Sequence, residues 1–418
     1  MQRYKLKVDR AVTIPLIPPQ SVFLNRNTPP HVSTLVAQAS IAALAMNVFL
    51  PSLPSMVVYF DTSYSVMQLS VSLYLAMNAV LQVFIGTISD RYGRRPVLLA
   101  SLVVFIIATV GTLFAPNVTV FLVFRMMQAL VVSAMVLSRA SIRDVLDENA
   151  AASRIGYVTM GMALVPMIAP AIGGFLDEAF GWRGSFTLML VAGVAVLILS
   201  WADMGETKHD RSGSLRQQFA TLPELMRARR FWGYCGSATL ASGAFFAYLG
   251  GAPFVGSRVF ELSPSALGMY FGAPAVGYAF GNFLSGRYAA RFGINYMILV
   301  GSLIGFSGMI ILSLLYLAGA LSAAVFFGCF IMIGLGNGML LPSATSGMMS
   351  VRPHLAGTAS GMGGAIMIGG GAALSALAGA LLTPGSGAGP LIWMMLATTG
   401  TTILPVLYVM RRARQIGA

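Results

Sequence analysis

Apolar residues run through this 418-residue chain in blocks, separated by short polar breaks. The blocks fall at 33–55, 68–89, 96–115, 118–138, 154–176, 184–203, 231–254, 266–287, 293–317, 321–341, 355–382 and 389–410. Each is about as long as the 20 or so residues a helix needs to cross a bilayer, and far longer than a barrel strand. Lipid offers no water to satisfy stray backbone groups, so continuous helices are the expected form. The pattern therefore predicts an all-α membrane protein of twelve transmembrane helices.

The polar breaks carry an orientation. With a cytoplasmic amino terminus, the inside segments hold Arg3, Lys5, Lys7, Arg10 and Arg26, then Arg91, Arg94 and Arg95, then Arg139, Arg143 and Arg154. The central break adds Lys208, Arg211, Arg216, Arg227, Arg229 and Arg230, and the later inside segments add Arg287, Arg291, Arg352, Arg411, Arg412 and Arg414. Only Arg125, Arg183 and Arg258 fall elsewhere, a bias that places both termini in the cytoplasm. The long break at 204–230 divides six blocks from six. The expected organisation is a flexible cytoplasmic leader (1–32), a six-helix bundle (33–203), a cytoplasmic linker (204–230), a second six-helix bundle (231–411) and a tail (412–418). GTISDRYGRRPVLLA after the second block has a degenerate echo, GNFLSGRYAARFGINYMIL, after the eighth.

Composition agrees: 57% of residues are hydrophobic, 9% are charged and the mean hydropathy is +0.79, outside the range of soluble globular proteins. A formal charge of +13 is of the kind that nucleic-acid binders carry, but it follows the topology, and no nucleic-acid partner is expected. Cys235 and Cys329 both sit in apolar blocks and read as buried thiols, without a disulfide or metal. The first 30 residues lack the compact apolar core of a cleavable signal peptide. His31, His209 and His354 lie outside the blocks, and no metal-ligand spacing, nucleophile elbow or phosphate loop is present, so neither an enzyme nor a cofactor is expected.

Chemistry gathers in two places. At Gly86–Pro96, Asp90 at a helix end, Gly93 at a tight turn and Arg91 and Arg94 nearby make a latch, with Arg143 and Asp144 in the next inside break. GTISDRYGRRP resembles the signature between spans two and three of the major facilitator superfamily. LAMNVFLPSLP, FRMMQAL, SRASIRD, ALVPMIAPAIGGFL with GWRGSF, and HLAGTASGMGGAI resemble its bicyclomycin and chloramphenicol resistance branch, within the drug:proton antiporters. The resemblance implies two six-helix bundles rocking about a site near mid-membrane, and a place in a bacterial inner membrane. It departs from the branch at Asn47, where an acid is usual, and at Ala129, where a glycine is usual. In span five Pro166 and Pro170 each remove a backbone bond and Gly161, Gly173 and Gly174 allow close contact, which suits either a packed seam or a gate.

The second place is a polar layer in the membrane. At about 1.5 Å per residue, Asn47 lies ~21 Å from Ser33, Arg125 ~21 Å from Arg139, and Asn78 and Tyr74 ~18 and ~24 Å from Asp90. Gln128 shares a face with Arg125. An arginine at such depth either meets a cavity or locks the bundle through carbonyls and Gln128. Asn47, Tyr74 and Asn78 read equally as cavity lining or interhelical glue. Tyr248 and Tyr278 are candidates for an opposite, aromatic wall. None of the 13 acids lies deep in a span; Asp61, Asp177, Glu178, Asp90 and Asp144, at span ends, remain for any proton coupling.

The expected function is a secondary carrier, acting as a monomer, that exports small neutral, zwitterionic or anionic drug-like compounds, with the proton as coupling ion. A metabolite exporter, uniporter or exchanger without proton coupling is the alternative; a sensor or channel does not account for the latch and the six-plus-six plan.

Overall fold

The computed structural model describes residues 21–146, 148–208 and 222–415. Parts of the expected leader, linker and tail thus lie outside the described residues. Within them all regular secondary structure is helical, with no strand.

The first half of the chain forms α1 (Val32–Asn47), α2 (Leu53–Tyr59), α3 (Tyr64–Tyr92), α4 (Arg94–Leu113), α5 (Val118–Gln128), α6 (Val132–Val145), α7 (Glu148–Ala163), α8 (Val165–Phe180) and α9 (Arg183–Asp203). The second half forms α10 (Arg229–Arg258), α11 (Pro264–Phe271), α12 (Ala273–Phe292), α13 (Ile294–Leu317), α14 (Ala323–Ser350), α15 (Ala356–Leu381) and α16 (Gly389–Gln415). Pairs such as α1–α2, α5–α6 and α7–α8 are single spans with a local break. Pro51, Pro54 and Pro166 sit at the first positions after such breaks, where a missing N–H costs no helical bond.

Among the described residues, eleven helices are long and apolar enough to cross a membrane. The twelfth expected block, 266–287, is helical but falls short: it splits at Gly272 into α11 and α12, and Asn282, Arg287, Arg291 and several glycines and alanines dilute its apolarity. Large apolar side chains such as Phe114, Phe175, Ile198, Leu314 and Leu404 point outward, as helices solvated by lipid require.

The two halves repeat local geometry at a constant offset. Ser63 caps α3 by accepting from the Val66 amide and Ser263 caps α11 by accepting from the Ala266 amide. Asp61 and Glu261, just before these caps, both have positive φ. At the other end, Gly93 (φ 99°, ψ 150°) joins α3 to α4 and Gly293 (φ 85°, ψ 154°) joins α12 to α13. Residues with a Cβ are essentially excluded from that backbone region, so glycine turns the chain sharply at both corners.

The halves meet along two seams, α3 against α15 and α8 against α11, with α10 packed on α15 and α16 behind them. Gly174 in the α8 seam faces the Pro264 carbonyl, which any side chain would strike.

Candidate functional site

The deepest charge is Arg125. It is 1% exposed, and each nitrogen of its guanidinium makes one hydrogen bond: Nε donates to the Ser70 carbonyl (3.2 Å), one terminal nitrogen to Gln128 Oε1 (2.9 Å) and the other to the Ala45 carbonyl (2.8 Å). The rings of Phe49 and Tyr74 lie 4.2 Å from its carbon, one from α3 and one from the α1–α2 break. Gln128 passes the chain of bonds on to the Thr109 hydroxyl in α4 (2.8 Å). Arg125, Gln128 and Tyr74 therefore form one closed knot tying α1, α3, α4 and α5. Hydrogen bonds from a charged donor contribute about 1.5–3 kcal/mol each and a buried cation–π contact about 2 kcal/mol, so the knot holds its charge without a carboxylate.

The other members of the layer stand apart from it. Asn47 donates to its own Ala43 carbonyl (2.8 Å), and Asn78 accepts from Gln82 (2.9 Å). Tyr248 is buried in a ring cluster with Phe271, Phe327 and Phe330 and donates to the Phe271 carbonyl (3.2 Å). Tyr278 lies on α12, next to Asn282, whose amide returns to the Tyr278 carbonyl (2.8 Å). No hydrogen bond or ring contact joins these four to Arg125 among the described residues. Asn337, a buried polar residue that the block pattern did not single out, donates from α14 to the Ala241 carbonyl of α10 (3.1 Å).

At the Gly93 corner, Arg94 is the hub. It pairs with Asp90 (2.6 Å) and Asp144 (2.9 Å) and also bonds Ser89. Its backbone N–H donates to Glu206 (2.9 Å), a partner 112 residues away, and Arg95 donates to the Met204 carbonyl (2.8 Å). Thr207 adds a hydroxyl to Asp144 (3.2 Å). Arg91 stays outside this network, over the ring of Tyr92 at 5.6 Å, and Arg143 is exposed. In span five, α7 breaks at Leu164; Pro166 follows as a first-turn proline, Pro170 lies inside α8, and Gly173 sits where the Val48 carbonyl leaves no room for a side chain.

The seams are shut at one end of the molecule and parted at the other. At the shut end Tyr64 donates to the Gly250 carbonyl (2.7 Å), and Gln68 bonds both the carbonyl and the hydroxyl of Ser375 (2.7 Å each). Glu178 accepts from the amide (3.2 Å) and hydroxyl (2.9 Å) of Ser265. Further along, Gln82 still touches Gly364, but beyond it α3 and α15 diverge. They enclose a cavity of about 500 Å³ between α3, α6 and the start of α15, reaching the Arg94 corner. α7 packs on α1, α6 and α8 and leaves Tyr157 and Met160 exposed on this side.

A two-seam bundle of long apolar helices, hydrogen-bonded across its seams at one end and parted at the other, narrows the family, and the sequence profile of the Major Facilitator Superfamily matches residues 35–376. The chain belongs to that superfamily. It is a multi-pass membrane transporter, and several of its relatives are named for drug resistance. A chloramphenicol resistance protein of Pseudomonas aeruginosa is 28% identical over 320 residues, 76% of this chain and 76% of that protein. A bicyclomycin resistance protein homolog of Haemophilus influenzae is 24% identical over 390 residues, 91% and 96% of the two chains. Among solved structures, a bacterial homolog of the human lysosomal transporter Spinster, in an inward-facing and occupied conformation, superposes with a TM-score of 0.70 at 18% identity. That match covers 92% of this chain and 96% of that one.

Proposed function

We propose that this superfamily member is a secondary exporter of small drug-like compounds, neutral, zwitterionic or anionic, in a bacterial inner membrane. In this reading twelve spans form two six-helix bundles with both termini cytoplasmic, and they rock about the α3–α15 and α8–α11 seams. The observation that carries it is the pattern of contacts between the halves, since cavities of similar volume lie at both ends: hydrogen bonds tie the halves at Tyr64, Gln68 and Glu178, and at the Arg94 end α3, α6 and the start of α15 part around their cavity, which is one of the two states an alternating carrier needs. With the arginine-rich corner inside, the state is inward-facing.

Proton coupling is part of the proposal, and Asp177 is the acid we assign to it. It is 7% exposed in α8, bonds the Ser55 hydroxyl (2.9 Å), and has no cation paired with it among the described residues. A carboxylate held in a spanning helix by hydroxyls instead of a cation is suited to exchanging a proton as the gate moves. Metabolite exchange without protons is the second reading, favoured by Arg125, whose partners are all neutral and whose neighbouring layer holds Asn47 instead of an acid.

Proteoliposomes with an imposed pH gradient separate the two. Phenicol-like neutral compounds and lipophilic cations are offered to the unaltered protein, Asp177→Asn and Asn47→Asp. Coupled export is expected to drive uphill movement of the neutral compounds and to lose it in Asp177→Asn. Uphill movement that appears only in Asn47→Asp means that the native protein is not proton-driven.

A further inference from the structure

The cavity at the Arg94 end contains cations that no acid among the described residues neutralises. Of its two carboxylates in reach, Asp90 is held by Arg94, and Asp144 is held by the same guanidinium and by Thr207. Arg139 and Arg143, one turn apart on α6, both line the cavity, and neither pairs with an acid among the described residues. Arg139 is the more telling of the two. Its Nε is buried without a hydrogen-bond partner among the described residues, and the side chain interacts electrostatically with Arg143, a like charge, and with Tyr278, a neutral phenol from α12. A buried guanidinium donor left unpaired is costly, and a polar group left so is a place to look for a missing ligand.

The opposite wall supplies a second, independent feature. α15 begins there, with Thr358, Ser360 and Gly361 on the cavity, and its N-cap, Leu355, gives the first turn no side-chain acceptor. The free amides and the positive end of this 26-residue helix favour a negative group. Met135 and Val136 make the adjoining wall apolar.

We propose that this cavity is a site for an amphipathic organic anion, a carboxylate or sulfonate on an apolar body. Arg139 binds the anionic group from the first half and the start of α15 completes the contact from the second. The proposal rests on the transport reading and sharpens it. Arg125, which the sequence offers as the site cation, has each of its three guanidinium nitrogens bonded inside the first half, and the recognising charge is Arg139, nearer the mouth. Substrates carrying an anionic group are then preferred over their neutral counterparts.

The test uses 1-naphthoate and 1-naphthamide, a matched acid and amide, as probes with the purified full chain in neutral detergent. Naphthoate is expected to raise the melting temperature at concentrations where naphthamide does not. Arg139→Gln is expected to weaken naphthoate binding by about tenfold and Arg139→Lys to recover most of it, because the charge returns with its N–H donors. Equal stabilisation by acid and amide on the unaltered protein overturns the proposal without any variant, as does unchanged naphthoate binding in a folded Arg139→Gln. Added phosphatidylglycerol separates a lipid headgroup from a solute: naphthoate retained in its presence supports the solute, and full displacement overturns it. Binding is read without transport, so a protein that binds naphthoate yet moves nothing in proteoliposomes sinks the exporter reading and leaves this site standing.

Discussion

The corners at Gly93 and Gly293 have the same backbone and different chemistry. Both close a helix with positive φ, and neither glycine has a side chain with which to cap the next one. Two hundred residues apart, Asp90 corresponds to Ala290, Arg94 to Ile294 and Arg95 to Asn295. The first corner gathers Asp90, Asp144, Glu206 and Thr207 around Arg94, whereas at the second Asn295 accepts a single bond from Tyr234 (2.8 Å). A turn of this shape therefore needs only its glycine, and the charges of the first corner answer to something besides the turn. Asp90 and Arg94 line the cavity, where the proposed rocking of the two halves would bring them together.

Substitutions at matched positions probe that contrast. Arg94→Ala is expected to have the largest effect, since it leaves Asp90 and Asp144 without their cation. A loss of about 3–5 kcal/mol is the scale for removing one member of a buried pair, and thermal unfolding with transport should both report it. Ile294→Ala should leave transport intact. If both variants behave alike, the contrast fails. Next comes Gly93→Ala, expected to cost about 1–3 kcal/mol from its backbone region alone and more because the Glu206 carboxylate fills the space a Cβ would take. Gly293→Ala meets open space and should show the backbone cost only, so the difference in melting temperature isolates Glu206. Asp90→Asn should then lower transport with little loss of folded protein at equal expression; unchanged transport would remove Asp90 from gating. The smallest effect is expected from building the absent pair, Ala290→Asp with Ile294→Arg: an exposed i,i+4 pair contributes about 0.3–0.5 kcal/mol and should leave melting and transport nearly unmoved.

The long helices were legible because each crosses lipid by its own composition, and the glycine corner because few residues tolerate its backbone. The Arg125 knot was half legible. Counting residues gives depth along a helix, and depth placed Tyr74, Gln128, Asn47 and Asn78 together; it gives no rotation about the axis, and Asn47 and Asn78 turn to their own helices. Partners supplied by distant chain were not legible at all. Glu206 reaches Arg94 across 112 residues and Gln68 reaches Ser375 across 307, and nothing in the local pattern around either residue marks it. The free donor of Arg139 is hidden for the same reason, since being unpaired is a property of surroundings.

The split helix pair Pro264–Phe292 bears on how the protein is made. A segment of marginal apolarity enters the bilayer poorly by itself, because each polar or charged residue raises the cost of partitioning from the translocon. α12 packs along α14, which is synthesised later, so much of what holds it in place arrives only after the ribosome has passed it. Insertion of this stretch is thus tied to the assembly of its neighbours, and damage to α14 should surface as failed biogenesis of α12 before it surfaces as failed transport.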